Sequence, residues 1–457
     1  MLRTTNPVTG ETVKEMDSLD IDKAKQLIAG VDEAFIQWRK TDFEQRARVL
    51  NDVASYMREN KERLALFMTD EMGKPIKEAR GEVEKSAWCA EHYALNARIY
   101  LEKDLIATDA TTSYVQYMPL GVILGILPWN APFWLAFRFL APALMAGNTC
   151  VMRHASNVPD CATAIAGLFD EVGAPANIVK NLPVESKDVE HVIRDPRIRA
   201  VSLTGSSKVG TQVASIAASE IKPAVLELGG SDPVVVLNDA DLDAAADIIT
   251  LSRNINAGQS CIAAKRIIVV KDVYDTMVEK MKSRLSTLKV GDPRREDTDI
   301  GPLAKKDTRD KIHRQVIETL EAGAQCLLGG EIPDGDGFFY PVTLLIDVLP
   351  NMVSYKEETF GPVAVMIKAE DADHAIKLAN DTEYGLGASI WTGDKERGEA
   401  LASEIFAGQV SVNGIVKTDP RLPSGGVKRS GYGRELGPHG IRQFVNTQQI
   451  WIGPKIG

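Results

Sequence analysis

Apolar residues recur at three-to-four spacing early in the chain. Leu50, Val53, Ala54 and Met57 make one stripe, and Leu64, Ala65, Phe67 and Met68 another. That period puts them on one face of a helix, so residues 21–101 read as helices whose charged remainder is the solvated face. Gly73, Lys74 and Pro75 interrupt the run, and Pro75 sits where a helix restarts. The pattern then changes. Residues 114–128 read as strand, Thr149–Arg153 as strand, 157–172 as helix, Ala200–Thr204 as strand, 207–219 as helix and Ala224–Leu228 as strand. Strands alternating with helices predict a parallel, doubly wound α/β sheet. After Gly229-Gly230 the alternation resumes with Val234–Leu237, a helix over 239–256, Arg266–Val270 and a helix over 271–287. Further strands follow at Val363–Ile367, Ala388–Trp391 and Gln409–Val412. The double glycine marks a domain boundary, and the second half builds an α/β core of its own. No repeat of fixed period and no low-complexity segment interrupts the chain. Apolar Val427, Tyr432 and Leu436 make Pro420–Gly437 an ordered loop rather than a linker.

One stretch needs a membrane check, because between Tyr117 and Met152 the single charge is Arg138. Pro119, Pro128, Pro132 and Pro142, with Gly121, Gly125 and Gly147, chop it into a buried strand, a turn and a buried helix, too short to span lipid. At 457 residues the chain exceeds what one core supports, so two or three domains are expected. Its net charge of -10 argues against nucleic acid as a partner. Five cysteines at irregular spacing exclude a disulfide framework and fit a reducing, cytoplasmic setting. No metal-ligand spacing is present. Residues 1–10 carry no apolar signal segment.

Four places can carry chemistry. Asn254–Lys265 holds Cys261 in a small, polar setting just after Gly258, with no histidine beside it. Cys261 is either a nucleophile activated by groups distant in sequence or one more small buried residue. Gly205-Ser206-Ser207-Lys208-Val209-Gly210 follows a strand and opens a helix, which suits an anion at the helix N-terminus but also a plain turn; it is neither GxGxxG nor a phosphate loop. Glu227 ends a strand, where a carboxylate faces either the ligand crevice of an open α/β sheet, as a general base, or solvent. Pro128-Trp129-Asn130-Ala131-Pro132 is a rigid turn whose amide can donate to an oxyanion. Arg138, alone in an apolar helix, must meet a carboxylate from the protein or from a substrate.

Five motifs now stand in one order: Pro128-Trp129-Asn130, Thr204-Gly205-Ser206, Glu227-Leu228-Gly229-Gly230, Gly258-Gln259-Ser260-Cys261 and Glu357-Glu358-Thr359-Phe360-Gly361-Pro362. The chain resembles the aldehyde dehydrogenase superfamily over nearly its whole length. Pro423–Lys428 and Ser430–Glu435 add a sixth match. Within the superfamily it is most like bacterial succinate-semialdehyde dehydrogenases. The resemblance implies an α/β fold of two doubly wound parallel-sheet domains plus a bridging β oligomerisation element. It implies that Cys261 attacks the aldehyde, that Asn130 and the Cys261 N–H hold the oxyanion, and that Glu227 activates the water that hydrolyses a thioester. Trp129, Asn130, Thr204, Gly205, Ser206, Leu228, Glu358 and Phe360 would hold the cofactor.

Arg153-His154-Ala155-Ser156 stands where the family usually has Lys first and where many NAD-preferring members have Glu last. Ser156 leaves room for a 2'-phosphate and Arg153 adds positive charge, so the expectation is NADP in preference to NAD. Arg138 matches an Arg that binds the distal carboxylate of succinic semialdehyde, with Trp134 and Thr418 beside it. Ile255 stands where some members have a second Arg, and Ser424 where Phe is usual. Broad-specificity aldehyde oxidation and transfer of the thioester to coenzyme A are the alternatives. The implied domains are cofactor-binding (1–110, 128–229 and 424–440), catalytic (230–423) and oligomerisation (111–127 and 441–457), in a homodimer or homotetramer.

Overall fold

The computed structural model describes residues 2–453. Met1 and residues 454–457, which end the expected oligomerisation element, lie outside the described residues. Among the described residues the strands form four sheets. Near-continuous apolar runs become parallel strands covered on both faces, as burial on two sides requires. Every residue of Val122–Leu127, Pro233–Val236 and Arg266–Val270 is buried.

A six-stranded sheet runs in the order Gly431–Tyr432, Ala224–Glu227, Ile198–Thr204, Val122–Leu127, Thr149–His154, Val179–Asn181. Its strands are parallel apart from the antiparallel pair at Gly431–Tyr432. The chain first builds outward from Val122–Leu127 on one side, then returns to add Ile198–Thr204 on the other. The carboxyl ends of those two neighbours therefore open a crevice, the place where doubly wound sheets bind ligands. Trp129 and Gly205 follow directly. The chain crosses at Leu228–Asp232 into a seven-stranded sheet. Its order is Gln325–Leu328, Thr343–Ile346, Val363–Ala369, Arg266–Val270, Pro233–Val236, Gly387–Trp391, Gln409–Val412, parallel except at the first pair. A third, antiparallel sheet joins Val445–Ile452, Thr112–Pro119 and Asp104–Leu105, and a hairpin pairs Leu2–Thr5 with Thr12–Met16. No helix among the described residues is long and apolar enough to cross a membrane.

Four expectations need correction. The single strand over 114–128 is two, Thr112–Pro119 in the antiparallel sheet and Val122–Leu127 inside the six-stranded one. The expected bridging segment 111–127 therefore ends near residue 119, and Asp104–Leu105 joins its sheet instead. Asn148 causes the break: its buried Oδ1 accepts from the Leu120 and Gly121 N–H groups at 2.8 and 3.1 Å, and its Nδ2 donates to the Phe444 carbonyl at 2.8 Å. Gly121 has φ +140°, and a Cβ there would lie 2.7 Å from Arg199 Cγ. The helix expected over 239–256 stops at Asn254, because Asn256 and Ala257 turn left-handed with φ 57° and 52°. The charges of residues 21–101 are not all solvated: Arg46, Glu71, Lys74 and Glu82 are buried. In the seven-stranded sheet two strands, Gln325–Leu328 and Thr343–Ile346, went unread.

Asn148→Ala removes three hydrogen bonds and strands two N–H groups, the buried one of Gly121 and the half-buried one of Leu120. It should cost about 2–4 kcal/mol, read as a lower midpoint of denaturant unfolding; a wild-type midpoint would contradict this account of the strand break.

Candidate active site

Helix Ile76–Tyr100 supplies the foundation. Its Glu82 carboxylate accepts the Phe133 and Trp134 N–H groups at 2.9 and 3.1 Å, which satisfies the first turn of helix Pro132–Met145. The same carboxylate pairs with buried Lys74. Lys74 Nζ in turn donates to the Asn130 carbonyl at 2.9 Å, and Asn256 Nδ2 donates to that carbonyl at 2.8 Å. Asn130 and Asn256 both aim side-chain amides at the Gln259 carbonyl, at 3.1 and 3.2 Å. Glu78 accepts the Asn256 N–H at 2.7 Å. Thus the loop that carries Cys261 hangs from the Pro128–Pro132 turn and from one helix.

The other side of the loop is tied by Arg253, which is fully buried. Its Nη2 donates to the carbonyls of Gly258 and Gly361 at 2.8 Å each and of Thr359 at 3.3 Å. Glycine is required at 258: φ is +73°, and a Cβ would fall 2.3 Å from the Gly361 carbonyl oxygen.

Cys261 is half-buried where two cavities meet. One, of about 240 Å³, is lined by Asn130, Trp134, Arg138, Ile255 and Thr418 among others. The second, of about 420 Å³, is lined by Trp129, Asn130, Thr204, Gly205, Ser206, Leu228, Glu358 and Phe360, with Asp307, Thr308 and Lys311 across from them. Asn130 and Cys261 border both. Trp129 and Phe360 meet edge to face at 5.9 Å. Glu358 accepts from Lys265 Nζ at 3.0 Å and from the Gly230 N–H at 3.2 Å. Among the described residues nothing accepts the Cys261 N–H.

Glu227 lines neither cavity but lies buried behind them. Its Oε2 accepts from Arg138 Nη2 at 3.3 Å, while its Oε1 is buried without a partner. Arg138 Nη2 also meets Glu435 Oε2 at 2.5 Å and Ser424 Oγ at 3.4 Å. One guanidinium is therefore shared by two protein carboxylates. Burial pushes the Glu227 carboxyl up to about 8, with Arg138 opposing and Glu435 reinforcing the shift. Burial also pushes the Cys261 thiol up to about 11, against the pull of Lys265 and Arg138. Arg153 and Ser156 line neither cavity. They lie at and just beyond the end of strand Thr149–His154, with Arg153 Nη2 donating to Ser186 Oγ at 2.8 Å and Ser156 exposed.

Several residues of the site escaped sequence reasoning. Glu82 sits inside the apolar stripe of Ala79 and Val83, a buried-charge signal that was there to be read. Glu435 lay within a recognised motif without a role. Asp307, Thr308 and Lys311 come from helix Lys306–Glu321, whose stripe of Ile312, Val316 and Leu320 would have revealed it. Lys85 also lines the smaller cavity.

A half-buried thiol between a larger crevice and a smaller pocket lined by four cations, on two doubly wound sheets, fits a dehydrogenase. The model of the aldehyde dehydrogenase family matches residues 1–450, and the chain belongs to that family. It is 46% identical over 454 residues to succinate-semialdehyde dehydrogenase (NADP+) 1 of Mycobacterium tuberculosis, covering 99% of each chain. It is 47% identical over 456 residues to the succinate-semialdehyde dehydrogenase (NADP+) of Mycobacterium avium, covering 99% of this chain and 97% of that one. The succinic semialdehyde dehydrogenase of Streptococcus pyogenes, solved in complex with NADP+, superposes with a TM-score of 0.97 at 35% identity, over 99% of this chain and 100% of that one.

With a thiol at about 11, the thiolate fraction of the free enzyme is small at neutral pH and grows tenfold with each unit of rising pH. Alkylation of Cys261 by iodoacetamide, without cofactor, should therefore accelerate about tenfold per unit between pH 7 and 9. A rate that levels off below pH 8 would show that the thiol is activated before any ligand arrives.

Proposed function

We propose that this enzyme oxidises succinic semialdehyde, or a similar short ω-carboxylate aldehyde, to the dicarboxylic acid, with NADP preferred over NAD. The observation that carries the reading is the common wall of the two cavities. One thiol and one amide face both a nucleotide-sized crevice and a pocket that contains Arg138 and Thr418. The names of the mycobacterial relatives and the NADP+ complex of the streptococcal one support the same reading.

The residues of the larger cavity fit a nicotinamide dinucleotide. Thr204 Oγ1 is buried there without a partner, and Gly205 and Ser206 open helix Ser207–Ser219, whose N–H groups and dipole favour a pyrophosphate. Trp129, Asn130, Leu228, Glu358 and Phe360 would hold the rest, with Arg153 and Ser156 toward the adenosine end. When bound, the nicotinamide supplies the hydride acceptor. The Cys261 thiolate adds to the aldehyde carbon, and the oxyanion is held by Asn130 Nδ2 and the free Cys261 N–H. Loss of hydride from that adduct leaves a thioester on Cys261. Glu227, in its ionised form, takes a proton from the water that attacks the thioester, and the acid leaves as the thiolate is restored. Thr418, Trp134 and Arg138 line the pocket that would take the far end of the substrate.

In this reading the six-stranded layer binds cofactor and residues 230–423 carry the catalytic cysteine. The antiparallel sheet with Val445–Ile452 at its edge pairs subunits in a homodimer or homotetramer. Trp451 and Ile452 are 47% and 49% exposed on that edge, an apolar strand that a second copy would cover. The enzyme works in the cytoplasm, where its thiol stays reduced.

The direct test is NADPH formation from succinic semialdehyde without coenzyme A. Wild-type enzyme should turn over, and Cys261→Ala should lose at least about 1,000-fold in kcat. Full activity of that variant would end the mechanism, and a requirement for coenzyme A would replace water as the acceptor. Ser156→Glu puts a negative charge where the 2'-phosphate is read to sit. It should lower kcat/KM for NADP relative to NAD by about 10- to 100-fold, the cost of one close like-charge contact; an unchanged ratio would move the 2'-phosphate away from this turn.

A further inference from the structure

The pocket before Cys261 contains more cations than the sequence pointed to: Lys74, Lys85, Arg138 and Lys417 all line it. Counting the partners of each separates them. Lys74 is neutralised by Glu82 and tied to the Asn130 carbonyl. Arg138 is shared by Glu227 and Glu435. Lys417 is exposed. Lys85 differs from all three. It is half-buried, and among the described residues no carboxylate oxygen lies within 4.0 Å of its Nζ. Asp419, a nearby carboxylate, is bound by Arg421 through two bonds of 2.8 and 2.6 Å.

Lys85 is also held in place. Its Nζ donates to Thr418 Oγ1 at 3.0 Å and lies 4.2 Å from the centre of the Trp134 ring. Trp134 Nε1 donates to the same Thr418 oxygen at 3.0 Å. With two donors on its lone pairs, the Thr418 hydroxyl must point its own hydrogen elsewhere. No acceptor for it is present among the described residues. An ammonium without a counter-ion and a hydroxyl hydrogen without an acceptor therefore stand side by side on one wall. Burial lowers the Lys85 ammonium to about 8, with Arg138 adding to the shift and Glu82 opposing it, as expected of a cation that lacks an anion. On the helix, Glu78, Glu82 and Lys85 follow at three-to-four spacing, so they share the face turned to the pocket.

We propose that Lys85, with the Thr418 hydroxyl, is a substrate-specificity site: it binds the distal carboxylate of the aldehyde, from a helix that precedes the catalytic turn in sequence. Ile255, also on the pocket wall, brings no charge to it. The assignment rests on the substrate reading given above.

The experiment compares kcat/KM for succinic semialdehyde and for butanal in the wild type, Lys85→Met and Lys85→Arg. Losing a charged hydrogen bond should lower the ratio of the two constants about 10- to 100-fold in Lys85→Met, through KM. Lys85→Arg, which keeps the charge, should hold the ratio within about 5-fold, and Ile255→Arg added to Lys85→Met should recover part of it. A ratio unchanged in Lys85→Met, or equal losses for both aldehydes, overturns the assignment while the substrate reading stands. A wild type that does not prefer the carboxylate aldehyde overturns that reading, and this assignment with it. If Lys85→Met does not fold, Lys85→Gln is read by the same ratio.

Discussion

The architecture of the site depends on one buried ion pair, Lys74 with Glu82. Neither charge could stand there alone, since an unpaired buried ion costs several kcal/mol. Each is held by its partner and by backbone: Glu82 by the N-terminal amides of helix Pro132–Met145, Lys74 by the Asn130 carbonyl. The pair thus fixes where that helix starts and where the Asn130 turn sits. Through Asn256 it also fixes the loop before Cys261. Arg253 closes the loop from the far side against Gly361. Two buried cations, each donating to backbone carbonyls, set where Cys261 sits relative to Asn130. An apolar core of equal volume could not do this, because dispersion carries no direction.

The charge balance shifts Cys261 and Glu227 in one direction. Cys261 and Glu227 are both pushed toward their protonated forms by burial. Arg138 could reverse this for Glu227 but is divided between Glu227 and Glu435. Ser424 adds a weak contact to the same guanidinium where the family usually has an aromatic ring. The Glu227 carboxyl therefore lies beside the pocket rather than in it, with one oxygen unbonded.

How much of this could be read from residues alone follows a physical division. Strand and helix periods come from burial on two faces or one, so the elements read between Thr149 and Leu228 match closely, while the short strand Val179–Asn181 and the short helix Val189–Arg194 went unread. The break at Leu120 was not, because it is made by Asn148, whose three bonds reach both before and after it in the chain. The end of the helix at Asn254 was hidden for the same reason: left-handed Asn256 and Ala257 are imposed by distant partners, Glu78 among them. Cys261, Asn130, Thr204 and Glu358 were named through motifs, and they do come together around the two cavities. Glu227, also named, stands behind the cavities rather than in them, a matter of side-chain direction that no motif encodes. Lys74 and Glu82 looked like surface charges because helical charge is usually solvated.

Arg138 and Lys85 show the limit of assigning a binding role by position. Arg138 drew attention as a lone charge in an apolar helix, and such a charge must find an anion. Two protein carboxylates already meet that demand. Lys85 sat among charged neighbours on an amphipathic helix and drew none. What distinguishes them is the number of counter-ions within reach, a quantity defined only once the chain is folded. A pocket for an anionic ligand is recognised by the charge left uncompensated after internal pairs are subtracted. By that measure the helix Ile76–Tyr100 contributes twice to the site: its Glu82 holds the Asn130 turn through Lys74, and Lys85, one turn further on, lines the same pocket.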